Sequence, residues 1–294
     1  MLNTVEEYLD ALKVEMMGSD SAIMQDALAD AREHLSTALA VARESNAGLN
    51  EADALKTIVD EYGTPEETAS AYKEVERRTS PSIKQAGKPR SALNRFFGIY
   101  EDPKAWGSLL YMLISLVTGI VYFTWVVTGL SLSLSLAIFI FGLVFAIFFI
   151  FSVRGLALLE GRLVEGLLGM RMPRRPLFIQ KGTTWFEGLK TNLMDKHVWL
   201  ALVYLFLQMP LGIIYFTLTV TLFSLSIGLM AAPLLQLIMR FPIITVGTVR
   251  YFLPVWLLPV FLLTGFLLWT VTMHIGKLIG TWHGRYAKWM LVSE

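Results

Sequence analysis

The sequence predicts an all-α protein, with a small soluble helical bundle followed by a polytopic α-helical membrane domain. Of its 294 residues, 54% are hydrophobic and only 17% are charged, which is too apolar for an ordinary soluble protein. The charges are unevenly placed, because residues 1–90 hold 17 of the 24 acidic residues and long stretches after Trp106 hold no charge. A segment of the apolar part also occurs twice, at 102–133 and 195–226. These observations indicate a soluble domain joined to a membrane domain that contains a duplicated unit.

The composition also excludes several kinds of chemistry. The chain has no cysteine, which excludes disulfides, thiolate zinc sites and iron–sulfur clusters, and its four histidines are widely scattered. No Gly-rich phosphate loop, GxSxG or HExxH motif occurs. We therefore expect a protein that is not an enzyme and binds no cofactor or metal. The first 17 residues lack the basic and apolar regions of a signal peptide, so we expect a cytosolic N-terminus.

Residues 1–79 are predicted to form four short helices, because apolar residues recur there at helical spacing. The most specific signal is Thr64-Pro65-Glu66-Glu67, in which a Thr N-cap, a Pro at the first helical position and a Glu at the third form a capping box. The predicted helices cover about 3–17, 21–46, 50–63 and 65–78.

The charge of this region indicates its kind of partner. Residues 1–90 hold 10 basic and 17 acidic side chains, a net charge of −7, which argues against nucleic acid and favours a protein partner. Residues 80–94 are rich in Ser, Pro, Gly and Lys and have no apolar periodicity. They are predicted to be a flexible linker.

Three membrane spans follow from length and apolarity alone. A hydrocarbon core about 30 Å thick needs roughly 20 helical residues. Residues 106–130, 134–153 and 198–223 each satisfy this without a charged side chain. The absence of ionisable residues from these spans argues against an ion or proton path.

The duplication predicts the fourth span. Fourteen of the 32 aligned positions in 102–133 and 195–226 are identical at an offset of 93. After Ser226 the similarity stops, and it returns at an offset of 123, where Gly142 aligns with Gly265 and Gly161-Arg162 with Gly284-Arg285. The segment at 253–273 is therefore the fourth span and 227–252 is an external insertion. We expect two parallel two-span repeats, 95–176 and 177–294, with both termini on one side.

Charge predicts the orientation. Most basic residues of the membrane part lie near the proposed inner ends, while the proposed outer segments carry only Arg240 and Arg250. The positive-inside rule then places both termini and the loop at 154–197 in the cytosol. An alternative makes 225–239 a fifth span and moves the C-terminus outside. Within the insertion, the β-branched residues around Gly247 predict a hairpin.

One amphipathic stretch follows the final span of each repeat: 155–169 in the first repeat and 278–291 in the second. Stretches of this kind lie in the membrane interface, and we expect them to connect the bilayer to the cytosol.

Candidate site residues lie in and beside the spans. Aromatic residues near the outer ends are candidates for contact with a lipid or apolar ligand, with an interfacial belt and helix packing as the alternative. Gln208 is the only large polar residue deep in a predicted span, and an interhelical hydrogen bond is its simplest role. His274 and His283 are candidates for a pH switch, with an ordinary interfacial role as the alternative. The aromatic candidates are Tyr122, Phe123, Trp125, Tyr215 and Phe216.

Two resemblances rest on short motifs. Residues 95–292 resemble the Putative sensor domain of bacterial and archaeal membrane signalling proteins, which often precedes a histidine kinase. The shared features are Trp106 and Trp199 at span entry, LALLEGRLVEGLLG, GLMAAPLL and TMHIGKL. Residues 1–80 are similar to HAAS-type helical signalling domains through YLDAL, AREHL and EYGTPEETASAY. The sensor family usually has Glu-Arg where this chain has Glu160-Gly161-Arg162.

The resemblances imply a membrane sensor that relays a stimulus to a cytosolic protein in a prokaryotic plasma membrane. HAAS-type domains are often encoded with PadR-like transcription regulators, so such a regulator is the implied partner, and a homo-oligomer is also conceivable. The alternative function is a transporter or channel for a neutral or lipophilic solute.

Overall fold

The protein is almost entirely helical in the residues that its computed structural model describes, which are 3–45, 50–79, 91–136, 140–173, 196–240, 242 and 244–292. Nine α-helices and one two-stranded hairpin occur in these ranges. The helices are α1 Val5–Glu15, α2 Ser21–Ser45, α3 Glu51–Tyr62, α4 Pro65–Thr79, α5 Ala92–Phe97, α6 Pro103–Leu136, α7 Ile140–Leu163, α8 Lys196–Met239 and α9 Leu258–Leu291, and the strands are β1 Ile244–Val246 and β2 Val249–Tyr251.

Helices α2 and α4 begin directly after residues that cap them. The side-chain oxygen of Asp20 accepts a hydrogen bond from the Ala22 amide at the start of α2 (2.9 Å). In the predicted capping box, the Thr64 hydroxyl accepts from the Glu67 amide, and a Glu67 carboxylate oxygen accepts from the Thr64 amide (3.3 and 2.9 Å). The hydrogen bonds that the Glu67 carboxylate accepts from the Thr64 amide and from the Thr64 hydroxyl lower the pKa of Glu67.

The four helices share one small core of Leu, Ile and Ala side chains. Tyr8 is its main polar member: its hydroxyl donates to the Gly63 carbonyl (2.9 Å) and lies 3.0 Å from the Thr68 hydroxyl. Burial of this phenol raises the pKa of Tyr8. One side chain of α1 therefore fixes the turn between α3 and α4.

A short helical segment leads from the N-terminal domain into the membrane part. Residues 80–90 of the predicted linker lie outside the described residues, and its last residues, 92–94, belong to α5, so the linker prediction is wrong there. After α5, a 3₁₀ turn at Gly98–Glu101 ends at Asp102, whose carboxylate binds Lys277 of α9 (2.6 Å). Burial alone would raise the pKa of Asp102, but the hydrogen bonds and charges of Lys277 and Lys104 outweigh it and lower the pKa.

Four helical stretches of the described residues are long and apolar enough to cross a bilayer: Pro103–Leu136, Val144–Leu168, Lys196–Met239 and Val255–Leu291. The prediction of four apolar helices of spanning length is confirmed, and these helices extend beyond several of the predicted span boundaries. The predicted second span began at 134, which lies in α6, and ended at 153, whereas α7 continues to Leu163. The predicted fourth span ended at 273, but α9 continues to Leu291.

The predicted insertion at 227–252 is not an independent unit. Its first part, 227–239, continues α8, which runs unbroken for 44 residues through Pro210 and Pro233. For the same reason 225–239 does not form a separate fifth helix. The predicted hairpin is present: β1 pairs antiparallel with β2, and Gly247 takes the left-handed conformation in the turn (φ 64°).

The predicted amphipathic stretches are continuations of the apolar helices. Residues 278–291 are the last turns of α9, and 155–163 those of α7. After Leu163 the chain makes a π-helical turn at Val164–Leu168. This helical turn ends at Gly169 (φ 66°). Both stretches contribute buried side chains, and their position in the membrane interface stays a prediction.

Helices α6 and α8 approach closely through two glycines. A Cβ atom on Gly119 would lie 2.6 Å from the carbonyl oxygen of Gln208, and one on Gly212 would lie 2.3 Å from that of Ser115. Neither space admits a side chain. Small residues at such crossings are typical of helix packing in membranes.

Candidate functional site

A carboxylate lies buried in the membrane part. Glu160 of α7 has no exposed surface, and three tyrosine hydroxyls surround it. Tyr111 and Tyr204 donate to Oε1 at 2.5 and 3.0 Å, and Tyr122 donates to Oε2 at 3.1 Å. Hydrogen bonds to an ionised group are shorter and stronger than neutral ones, so the three hydroxyls can stabilise a charge at this position.

A histidine is buried beside this carboxylate and also contacts three tyrosines. His283 of α9 has no exposed surface. Its Nε2 lies 2.6 Å from the Tyr111 hydroxyl and 2.9 Å from that of Tyr204, and its Nδ1 lies 3.1 Å from the Tyr215 hydroxyl. Tyr111 and Tyr204 therefore bridge the acid to the base, while Tyr122 and Tyr215 each contact one of them. We call these six residues and Gln208 the polar cluster.

The helical repeat places the tyrosines. Tyr111 and Tyr122 of α6 are 11 residues apart, as are Tyr204 and Tyr215 of α8, so each pair lies on one face of its helix three turns apart. The two faces meet because α6 and α8 cross at Gly119 and Gly212. Helices α7 and α9 then present Glu160 and His283 between the two pairs.

Gln208 completes the polar cluster. Its Nε2 donates to the Tyr111 hydroxyl at 2.8 Å, an interhelical hydrogen bond from α8 to α6. Its Oε1 is buried and has no hydrogen-bond partner among the described residues. An unmade hydrogen bond in a buried site is costly.

Ionisable residues inside an apolar helical domain are expensive and usually functional. The sequence predicted spans without ionisable residues. This prediction is wrong for the helices as they form, because α7 extends past the predicted end at Val153 and includes Glu160. The sequence repeat contained a sign of the polar cluster. Tyr111 aligns with Tyr204 and Tyr122 with Tyr215 at an offset of 93, and Glu160 aligns with His283 at an offset of 123. Sequence reasoning assigned no role to Tyr111, Tyr204 and Glu160.

The structure brings only some of the candidate residues together. Tyr122, Tyr215, Gln208 and His283 belong to the polar cluster. The remaining candidates lie elsewhere: Phe123 packs on Phe206 with ring centroids 4.9 Å apart, Trp125 donates to the Ser152 hydroxyl, Phe216 is half-buried on α8, and His274 Nε2 lies 2.9 Å from the Phe96 carbonyl oxygen.

A second feature lies where the N-terminal domain meets the membrane part. Lys288, five residues after His283 on α9, binds the carboxylate of Asp20 at 2.6 Å. A small cleft of about 80 Å³ adjoins this junction, lined by Gln25 of α2 together with Gly161 of α7 and Leu291 of α9. The cleft lies beside the polar cluster and does not contain it. Among the described residues, no group of His, Asp and Glu is arranged to hold a metal ion.

The fold and the polar cluster define a multi-pass helical membrane protein with ionisable side chains in its interior. The model of the Putative sensor family matches residues 111–291, and the chain belongs to this family. That range contains every residue of the polar cluster. The resemblance of the membrane part to this family is thereby confirmed, and the likeness of residues 1–80 to HAAS-type domains stays a prediction.

No curated protein and no solved structure matches the chain.

Proposed function

We propose that this protein is a non-enzymatic membrane sensor that relays a stimulus from the bilayer or the exterior to a cytosolic partner through its N-terminal domain. The observation that carries the proposal is the ion pair between Lys288 and Asp20, which joins the end of α9 to the start of α2. Asp20 also caps α2, so one side chain both begins a helix of the N-terminal domain and binds the membrane part. Family membership supports the sensing role.

We further propose that the membrane domain consists of two parallel two-span repeats. Reciprocal contacts support this architecture: Gly119 packs on the backbone at 208–209, and its equivalent Gly212 packs on 115–116. The polar cluster supports it too, since Glu160 contacts Tyr122 as the equivalent His283 contacts Tyr215. With basic residues concentrated near the proposed inner ends, both termini lie in the cytosol and the membrane is the prokaryotic plasma membrane.

The cytosolic partner in this proposal is a protein, and a PadR-like transcription regulator fits the HAAS-like character of residues 1–79. The acidic charge of residues 1–90 favours a protein over nucleic acid. The match to the Putative sensor family gives no support to the alternative function, a transporter or channel for a neutral or lipophilic solute.

The test is affinity capture of the intact chain from native membranes, with identification of the cytosolic proteins that copurify. We expect a partner that is retained by the intact chain and lost when residues 1–79 are deleted. Asp20→Asn and Lys288→Gln should change the yield of this partner, because each removes the ion pair. Asn is itself a good N-cap, so Asp20→Asn leaves the start of α2 intact.

Arg285→Gln is the matched control, because this exposed residue lies on the same end of α9. It should leave the yield unchanged. If no copurifying cytosolic protein depends on residues 1–79, the proposed relay is wrong.

A further inference from the structure

We propose that the polar cluster is a binding site for a single proton, held between Glu160 and His283 by the hydroxyls of Tyr111 and Tyr204. The proton site itself is independent of the proposed function. Only its effect on the contact between Lys288 and Asp20 rests on the proposed relay.

Few hydrogens are available to the four central contacts. Tyr111 and Tyr204 each lie within 3.0 Å of both Glu160 Oε1 and His283 Nε2. A tyrosine hydroxyl has one hydrogen to donate, and a carboxylate has none. If the imidazole is neutral and donates from Nδ1 to Tyr215, two hydrogens serve four contacts. If it is neutral and donates from Nε2, with Nδ1 accepting from Tyr215, three hydrogens serve these contacts but the carboxylate keeps an uncompensated charge.

One additional proton keeps both ring nitrogens as donors and neutralises the cluster. When His283 is an imidazolium, its single Nε2–H is shared between the Tyr111 and Tyr204 oxygens, and its Nδ1–H donates to Tyr215. Both bridging hydroxyls are then free to donate to Glu160, and the Gln208 amide still donates to Tyr111. Three hydrogens thus serve the four central contacts, and the charge of the cluster distinguishes this state from the neutral Nε2–H tautomer.

The charges favour the same state. A carboxylate with a neutral imidazole leaves the buried cluster with a charge of −1, whereas the proton-bound cluster is neutral overall. An uncompensated charge in an apolar interior is far more costly than a paired one that is also hydrogen-bonded. The contacts at 2.5 and 2.6 Å around the Tyr111 hydroxyl are short, as charge-assisted hydrogen bonds are.

No other charged side chain of the described residues is in hydrogen-bonding contact with His283. The titratable groups that face it are Tyr111 of α6, Tyr204 and Tyr215 of α8 and, through the hydroxyls, Glu160 of α7. Tyr286 of α9 itself packs edge-on against its ring. In the neighbouring π-helical segment, Glu165 pairs with Arg162. The proton site therefore has one acid and one base.

The position of His283 connects the site to the N-terminal domain. Five residues, less than one and a half turns of α9, separate His283 from Lys288, whose ammonium binds Asp20. Loss of the proton leaves a net charge buried against α9. We infer that this loosens the packing of the end of α9 and weakens the contact with Asp20.

The direct test is nitrogen NMR of ¹⁵N-histidine-labelled full-length protein in lipid nanodiscs at about pH 7.5, where a reference imidazole is mostly neutral. The chain has four histidines, so His283 is identified by the signal lost in His283→Gln. If that variant does not fold, replacing His34, His197 and His274 one at a time assigns the fourth signal by elimination. We expect both ring nitrogens of His283 to be protonated.

Two variants sharpen this test. Glu160→Gln removes the negative partner, and we expect His283 to become neutral at the same pH. His274→Gln is the control, because His274 lies on the same helix but contacts the Phe96 carbonyl instead of the cluster, and it should leave the His283 signal unchanged. A neutral His283 in the unmodified protein overturns the proton site, whatever the variants do.

The effect on the N-terminal domain is measured separately. The chain has no cysteine, so spin labels can be placed at Val41→Cys and Leu278→Cys, both exposed positions, and the distance between them followed against pH. We expect the distance distribution to broaden as His283 loses its proton, and Asp20→Asn to give the broad distribution at every pH. A protonated His283 with a distance independent of pH would support the proton site and overturn its coupling to the relay.

Discussion

The N-terminal domain and the membrane part place polar and apolar side chains differently. The core of α1–α4 is built mostly from Leu, Ile and Ala, with Tyr8 as its main polar member. In the membrane part the polar cluster occupies the interior, while large apolar side chains such as Val117, Phe148 and Ile214 are more than half exposed. Water drives apolar groups inward in the first case. In a bilayer there is no such drive between helices, and hydrogen bonds and close packing hold them together.

The first prediction breaks the apolar core. Leu35→Ala removes a fully buried side chain at the centre of the α1–α4 core and leaves a cavity, so the free energy of unfolding of this domain should fall by about 2–5 kcal/mol. Chemical denaturation followed by hydrogen exchange in α2 measures the loss. Val41→Ala on the same helix is the control, since Val41 is exposed and should cost about 0.5 kcal/mol or less.

The second prediction breaks the helix crossing in the membrane part. Gly212→Ala places a Cβ where the Ser115 carbonyl stands, so α6 and α8 must separate, and stability should fall by about 1–3 kcal/mol. Gly228→Ala, also on α8, meets no atom within 4 Å and should be neutral or stabilising. Thermal unfolding in detergent compares the two. Equal effects would contradict the close approach described here.

The third prediction concerns the polar interior. Tyr204→Phe removes the hydroxyl that bridges Glu160 and His283, and we expect a loss of about 1 kcal/mol, the usual size for a hydrogen bond within a membrane protein. Tyr286→Phe is the matched control, because the Tyr286 hydroxyl has no hydrogen-bond partner. Unfolding of both variants under the same conditions gives the difference. A larger loss for Tyr286→Phe would contradict the assignment.

The fourth and smallest effect is a pH dependence of the N-terminal domain. Burial raises the pKa of Tyr8 above its unfolded value of about 10. The folded state therefore holds this proton more tightly than the unfolded state, so the contribution to stability is full below about pH 10 and is lost as the pH rises through the folded pKa. Hydrogen exchange in α1 across this range should show the loss. Tyr8→Phe should reduce this dependence.

Local sequence patterns predicted the structural features that are set by residues close together in the sequence. The capping box at Thr64 and Glu67 is correct because both hydrogen bonds join residues three apart. The hairpin around Gly247 is correct because a turn with positive φ needs such a residue. The number of apolar helices follows from hydropathy in the same way.

The polar cluster was missed because its contacts join residues that are far apart in sequence. Tyr111 and His283 are 172 residues apart, and no local pattern marks their meeting. The predicted second span ended at Val153, which placed Glu160 in the amphipathic stretch after the span, although α7 continues to Leu163. Likewise, the similarity between the two copies ends at Ser226, but α8 does not, because a loss of sequence similarity is not a helix stop.

The π-helical turn at Val164–Leu168 makes chain length as important as residue type in this part of the protein. A π-turn holds more residues than an α-turn, so deleting one residue here would restore α-helical spacing. Gly166 is the natural residue to delete, because a Cβ added there would meet nothing within 4 Å. If the turn stayed π-helical instead, the deletion would change the phase of Leu168 by about 100° and turn it away from the core that it now fills. A single lost codon would disturb this core without replacing any of its side chains.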